Sequence, residues 1–254
     1  MIRRIIRKGL NRFNLDLVKM NTEQVRDGLP TDFSENDTFL VKKVRPFTMT
    51  SPERIVALSQ AVDYLVKSGV EGSFVECGVW KGGSIMAALI RLKQLKVDNR
   101  SVYLYDTFEG MSTPTTKDES FQGKRAMDLM DQEIQKEGGP GWCYSTLEEV
   151  KSNIETIGYP NQYIHYIKGK VEDTIPETLP GKIALLRLDT DWYESTKHEL
   201  EFLYPLLVNG GVLIIDDYGH WKGARQAVDE YFEKNGLHLL LNRIDYTGRM
   251  AIKP

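Results

Sequence analysis

LLRLDTDWYES, residues 185–195, is an apolar run that ends in two aspartates, Asp189 and Asp191, one residue apart. The pattern returns downstream, where GGVLIIDDYGHW, residues 210–221, is a second apolar run ending in Asp216 and Asp217. Short, nearly continuous apolar runs alternating with segments of helical periodicity mark buried strands of a parallel sheet covered on both faces. In such sheets ligands bind beyond the carboxyl ends of the strands, where the strand order reverses. Both carboxylate pairs fall at such ends, so these two stretches decide the fold class and the place of the site together.

Working outward, SFVECGVW is a first strand followed by the helix GSIMAALIRLKQL, and SVYLYDTF is a second strand. YIHYIKGK, KIALLRLD and GGVLIID are strands three to five, and LHLLLNRI with GRMAIKP makes a terminal pair. Helices are expected at STLEEVKSNIETIG, ESTKHELEFLYPLL and GARQAVDEYFEKNG, the last stopped by Gly236. The expected fold is α/β: a Rossmann-like, doubly wound, mostly parallel seven-stranded sheet. Ahead of it, TSPERIVALSQAVDYLVKSG reads as a helix with Ser51 as N-cap, Pro52 at the first helical position and Gly69 beyond the end. Ile55, Leu58, Val62, Leu65 and Val66 give that helix a buried face. Residues 14–50 are polar and irregular. The expected organisation is therefore a partly helical N-terminal extension, 1–50, and one domain, 51–254. Within it, Met111–Tyr144 is too long for a simple connection, and holds the helical-looking AMDLMDQEIQKE and then GGPGW. Its place after a binding strand favours a mobile lid or specificity element over a decorative insertion.

Composition narrows the class. The chain has 254 residues, 41% of them hydrophobic, and a formal net charge of −3, which argues against nucleic acid as a partner. Cys77 and Cys143 have neither metal-site spacing nor the makings of a disulfide framework, and a cytoplasmic location is expected. The opening MIRRIIRKGLNRF reads as a short basic amphipathic helix with Ile2, Ile5, Ile6, Leu10 and Phe13 on one side. Arg7 and Lys8 interrupt the apolar run a signal peptide needs, and nothing approaches the roughly 18 apolar residues of a membrane span. Packing on the body or on another subunit of a homo-oligomer is the expectation, with weak contact at an anionic membrane surface as the alternative.

VECGVWKGGS sets Gly78, Gly82 and Gly83 in a strand-to-helix turn, where glycines permit positive φ and close backbone approach, and Ser84 can cap the following helix. The turn lacks a triphosphate-loop ending, and its spacing is not G-x-G-x-x-G. Glu76 beside it would oppose a pyrophosphate but suits a cationic ligand, and S-adenosylmethionine carries a sulfonium and an ammonium. Asp106, ending strand two, is placed to accept ribose hydroxyls, a role NAD would ask of it equally. The four aspartates have three readings. Helix capping would use one per helix, not two. A glycosyltransferase D-x-D would use DTD and leave Glu76, the glycine turn and IDDY unexplained. A hard divalent cation held by both strand ends removes the repulsion, and Mg2+ prefers such oxygen ligands.

Together TMTSPERI, FVECGVWKGGS, YDTFEGM, LRLDTDWYESTKHELE, YPLLVNGG and LIIDDYGHWKGARQAVDEY resemble the macrocin O-methyltransferase (TylF-type) family, over about Thr48 to Phe232. The metal arrangement is also similar to that of catechol O-methyltransferase. The resemblance implies a class I, S-adenosylmethionine-dependent O-methyltransferase acting on a hydroxyl of a sugar, glycan or glycosylated natural product; a catechol-like acceptor is the alternative within the same chemistry. It implies that Asp189, Asp216 and Asp217 ligate Mg2+ and that Asp191 is the general base. It implies a cofactor site of Glu76, Gly78, Gly82, Gly83, Ser84 and Asp106. Thr48, Met49, Thr50 and Ser51 lie at its methionine end, with Gly169 and Val171 near the adenine. Some sugar-methylating members carry a lid histidine that shares the base role. Met111–Tyr144 has none here, and His220 alone among the four histidines lies near a relevant strand end. Trp192 and Tyr193 are open to two uses, stacking on the acceptor or adenine, and core packing.

Overall fold

The computed structural model describes residues 25–26, 28–137 and 141–254, so the amphipathic reading of the first thirteen residues lies outside the described part. The chain divides into two compact units between residues 39 and 40. In the first, β1 (Val25–Arg26) and β2 (Leu29–Pro30) form a two-residue hairpin. Helix α1, Glu35–Val44, begins within it. A capping box sets its start: Ser34 Oγ accepts from the Asp37 amide at 3.1 Å, and the Ser34 amide donates to Asp37 Oδ2 at 3.0 Å. This helix replaces the irregular chain expected there; the serine and aspartate of SEND were the overlooked start signal.

The second unit carries the α/β fold. Helix α2, Pro52–Lys67, starts where the sequence placed it: Ser51 is the N-cap, its side chain accepts from the Arg54 amide at 3.2 Å, and Gly69 follows in the left-handed region at φ 66°. The elements β3 (Ser73–Cys77), α3 (Gly83–Gln94) and β4 (Val102–Asp106) come next. Helices α4 (Ala126–Glu137) and α5 (Leu147–Glu155) precede β5 (Ile164–Lys168) and the single turn α6 (Val171–Thr174). Then β6 (Ile183–Leu188), α7 (Tyr193–Leu203), β7 (Leu207–Ile215) and α8 (Lys222–Lys234) complete the alternation. The terminal pair is β8 (Asn242–Arg243) and β9 (Arg249–Ile252); most of LHLLLNRI, expected as a strand, does not pair.

The seven strands run β5-β4-β3-β6-β7-β9-β8, and all are parallel except β9, which pairs antiparallel with both of its neighbours. The order reverses between β3 and β6, so their carboxyl ends, with that of β7, face the crevice where such sheets bind ligands. Strand alternation then sorts the side chains. Val75, Cys77, Leu186, Leu188, Leu213 and Ile215 point into one apolar core with Leu200, Leu203, Val228 and Phe232 of α7 and α8. Glu76 and Arg187 take the opposite parity, and the register sets them directly across from each other. Both are buried, a charged pair in the middle of the sheet. Among the described residues no helix is long and apolar enough to cross a membrane.

Candidate active site

A cleft partly open to solvent, with about 240 Å³ of enclosed space, lies over the carboxyl ends of β3, β4, β6 and β7. Its existence rests on how closely β3 and β6 end together. Gly78 turns away from β3 at φ 81°, and a Cβ there would lie 2.0 Å from the carbonyl oxygen of Asp189. Only glycine fits. Trp80, Cys143 and Asp191 line the same cleft in left-handed backbone, at φ 47°, 54° and 65°. Non-glycine residues held there cost energy, and they gather at binding and catalytic sites.

One wall is acidic. Glu76, Asp189, Asp191, Asp216 and Asp217 line it, and two guanidiniums answer them. Arg187 is 3% exposed; it donates from Nη1 to Glu76 Oε1 at 2.6 Å and from Nη2 to Asp216 Oδ1 at 2.7 Å, and lies 2.8 Å from Asp189 Oδ2. Arg54 of α2 donates to Asp216 Oδ2 and, at 3.0 Å, to Asp245 Oδ2. Five carboxylates against two guanidiniums leave an excess of negative charge under low dielectric. Burial accordingly pushes Asp189 and Asp217 well above the usual carboxylate range, with their neighbouring aspartates adding to the shift. Burial first, then Asp189, pushes Asp191 up to about 7.

The wall has the donor set of a cation site. Asp189, Asp216 and Asp217 each present a carboxylate oxygen within 4.8 Å of the others. Asp217 Oδ2 is buried and has no hydrogen-bond partner. An orphaned buried carboxylate oxygen is costly, and a hard divalent cation is a ligand that would satisfy it. Asp191 stands beside the triad, where the indole of Trp221 donates to its Oδ1 at 2.8 Å.

Most residues expected to meet the cofactor line the same cleft. Thr48, Met49, Thr50, Glu76, Gly78, Ser84, Asp106, Gly169 and Val171 all line the cleft, and Met49 is 60% exposed there. Asp106 Oδ2 accepts from the amides of Val79 at 2.6 Å and Trp80 at 3.1 Å, while Oδ1 accepts from Phe108 at 2.7 Å. The carboxylate thus shapes the glycine turn as well as facing the cleft. Three expected residues do not line it. Ser51 caps α2 and donates to Asp245 Oδ2 at 2.7 Å. Gly82, at φ 88°, faces Ile154 and Val150 of α5, and a Cβ on Gly83 would lie 2.5 Å from the Phe47 carbonyl oxygen. These glycines let α3 approach its neighbours.

A model of the macrocin O-methyltransferase (TylF) family matches residues 11–252. The chain belongs to that family. It is therefore an S-adenosylmethionine-dependent O-methyltransferase, which settles the donor against a nucleotide sugar and makes DTD something other than a glycosyltransferase motif. One relative is the 8-demethyl-8-(2,3-dimethoxy-alpha-L-rhamnosyl)-tetracenomycin-C 4'-O-methyltransferase of Streptomyces olivaceus, 35% identical over 79% of this chain and 73% of its own. Another is the demethyldecarbamoylnovobiocin O-methyltransferase of Streptomyces niveus, 30% identical over 85% of this chain and 83% of its own. Among solved structures, the O-methyltransferase NovP superposes with a TM-score of 0.71 at 29% identity, over 82% of each chain.

In this methyltransferase the remaining candidates take other duties. Trp192 and Tyr193 pack rather than stack. Trp192 sits 5.1 Å from the ring of Trp221 and donates to the Ser112 carbonyl at 2.9 Å, while the Tyr193 hydroxyl donates to Glu230 Oε2 at 2.6 Å. His220 bonds the Tyr246 hydroxyl, packs edge-on against Trp221 and is absent from the cleft lining. The long insertion does reach the cleft, through Met111, Ser112 and Cys143. Its first half is pinned. Asp118, 1% exposed, accepts from the Tyr193 amide at 2.8 Å, and the Phe121 amide donates to the His220 carbonyl at 3.0 Å. Sequence reasoning missed Arg187 and Arg54. An arginine inside the apolar run LLRLD was the available signal for the first; nothing in PERIVAL marked the second.

Proposed function

We propose that this methyltransferase methylates a sugar hydroxyl of a glycosylated small molecule, with Mg2+ on Asp189, Asp216 and Asp217 and with Asp191 as general base. The observation that carries the metal is the partnerless Asp217 Oδ2 inside a compact carboxylate triad. The sugar rests on relatives named for rhamnosyl-tetracenomycin, novobiocin and mycinamicin substrates. A catechol, the other vicinal diol, is an outcome of the acceptor test.

S-Adenosylmethionine supplies the methyl group on an already activated sulfonium carbon, and Mg2+ supplies charge that lowers the pKa of a coordinated hydroxyl. The chain does the rest. Glu76, with Thr48 to Thr50 and Ser84, holds the cationic end of the cofactor, and Asp106 takes the ribose. Arg187 offsets the mutual repulsion of Glu76, Asp189 and Asp216. The acceptor hydroxyl gives its proton to Asp191 as its oxygen forms the new bond to carbon, and the old carbon–sulfur pair stays on sulfur. General-base help of this kind is worth roughly 10²–10⁴-fold, and orientation supplies much of the remainder.

Calorimetry with Mg2+ and with S-adenosylhomocysteine tests the assignment. We expect Asp217→Asn to abolish Mg2+ binding and leave S-adenosylhomocysteine affinity within a few-fold of the parent. Unchanged Mg2+ affinity in that variant would remove the triad from the reading. Methyl transfer to catechol but not to rhamnosides would move the acceptor class.

A further inference from the structure

If Asp191 is the base, something must aim its carboxyl, because its own backbone is in the left-handed region at φ 65°. Besides a side-chain bond with Asp217, the carboxyl is held by Trp221, 2% exposed, whose Nε1–H donates to Oδ1 at 2.8 Å. Neighbouring Trp192 sends its indole N–H to a backbone carbonyl, as a packing tryptophan does. Trp221 instead spends its donor on a carboxylate at the cleft. A charge-assisted bond on one oxygen fixes the plane of the group and leaves the other oxygen to receive a proton.

The insertion closes on the same tryptophan from both ends. Ser120 forms a β-bridge with Trp221, and the Lys222 amide donates to the Glu119 carbonyl at 2.9 Å. From the far end of the insertion, Trp142 sets its ring 6.5 Å from that of Trp221, near edge-on. Met111 and Leu129 pack on the cluster. We propose that Trp221 is the positioning residue for Asp191, and that it makes the aim of the base depend on the lid being docked. The proposal rests on the reading of Asp191 as the base, and its test separates the two.

The first readout needs no acceptor. The chain has four tryptophans, so ¹⁵N labelling gives four indole resonances, and the one missing in Trp221→Phe is that of Trp221. We expect Asp191→Asn to move this resonance, and Trp142→Leu, which removes the insertion ring packed edge-on to it, to move it too. A Trp221 resonance indifferent to Asp191→Asn, or to Trp142→Leu, overturns the proposal. The second readout is turnover of methyl α-L-rhamnoside, followed by release of S-adenosylhomocysteine. Trp221→Phe keeps a ring and loses the donor. It should lower kcat about 10- to 100-fold, as lost supporting hydrogen bonds do, with S-adenosylhomocysteine affinity and melting temperature close to the parent. Trp142→Leu should lower kcat as well, and the double variant should lose no more than Trp221→Phe alone. Parental kcat in Trp221→Phe beside an inactive Asp191→Asn would reduce Trp221 to packing and leave the base in place. Parental kcat in Asp191→Asn would remove the base itself. Should Trp221→Phe not fold, Trp142→Leu decides: a parental kcat overturns the proposal.

Discussion

At the residue scale the protein is organised around Arg187, which joins Glu76 to the aspartates at the ends of β6 and β7. It faces Glu76 across the strand register and reaches Asp189 and Asp216 with the same guanidinium. A methionine of similar length would fill the space but leave buried carboxylates without a counter-charge. Removing one partner of such a group costs about 3–5 kcal/mol. We expect Arg187→Met to lower chemical-denaturation stability by about that amount and to weaken S-adenosylhomocysteine binding, measured by urea titration and calorimetry. Stability within 1 kcal/mol of the parent would show that the network contributes little. The sequence announced the carboxylates clearly, because four of them at strand ends are anomalous in number. It announced Arg187 less clearly, because its partners come from β3 and β7 and no local pattern records them.

At the scale of elements, the long insertion has two parts. Lys117–Arg125 is tied to the β7–α8 connection and to the start of α7, whereas α4 beyond it carries exposed positions such as Met127. Asp118 is the principal tie. Its Oδ1 caps α7 through the Tyr193 amide, and its Oδ2 accepts from the Thr115 amide at 2.6 Å and from Thr115 Oγ1 at 2.9 Å. Asp118→Ala should cost about 1 kcal/mol, the worth of a lost helix cap, and should raise the acceptor KM more than it changes cofactor affinity. Equal weakening of both would place Asp118 in the general scaffold. Helix α2 was legible by itself, since Ser51, Pro52 and Gly69 punctuate it locally, whereas α1 was missed. The length of the insertion was legible too. Its docking was not, because a helix capped by an aspartate some seventy positions away leaves no short-range signature.

At the scale of the whole molecule, the buried carboxylates predict how stability responds to pH. Glu76 and Asp191 are each pushed up to about 7, from usual values of 4.5 and 3.8, by burial above all. In the folded state they hold protons that the unfolded chain has already released over that interval. The ligand-free protein should therefore lose stability as the pH rises from about 4 through 7, the reverse of the slope for salt-bridged carboxylates with lowered values. Mg2+ and S-adenosylhomocysteine should flatten the slope and raise the melting temperature, each by binding the folded state alone; a ligand at a hundred times its Kd contributes about 2.7 kcal/mol. Thermal melts from pH 4 to 8, with and without both ligands, check this. A ligand-free stability that climbs across the range would show these groups ionised in the folded state.

The sequence by itself determined the fold class, the strand ends that matter, the glycine turn and the family. Those are carried by local periodicity and by motifs a few residues long. Tertiary structure alone decided which of the marked residues face the cleft. Gly82, Gly83 and Ser51 turned out to serve packing and capping, while Gly78 makes room for the Asp189 backbone. It also decided which unmarked residues serve the site. Arg54, Arg187 and Trp221 reach it from α2, β6 and the start of α8. Side-chain parity and strand register bring those elements together, and both are properties of the assembled sheet rather than of any stretch of chain.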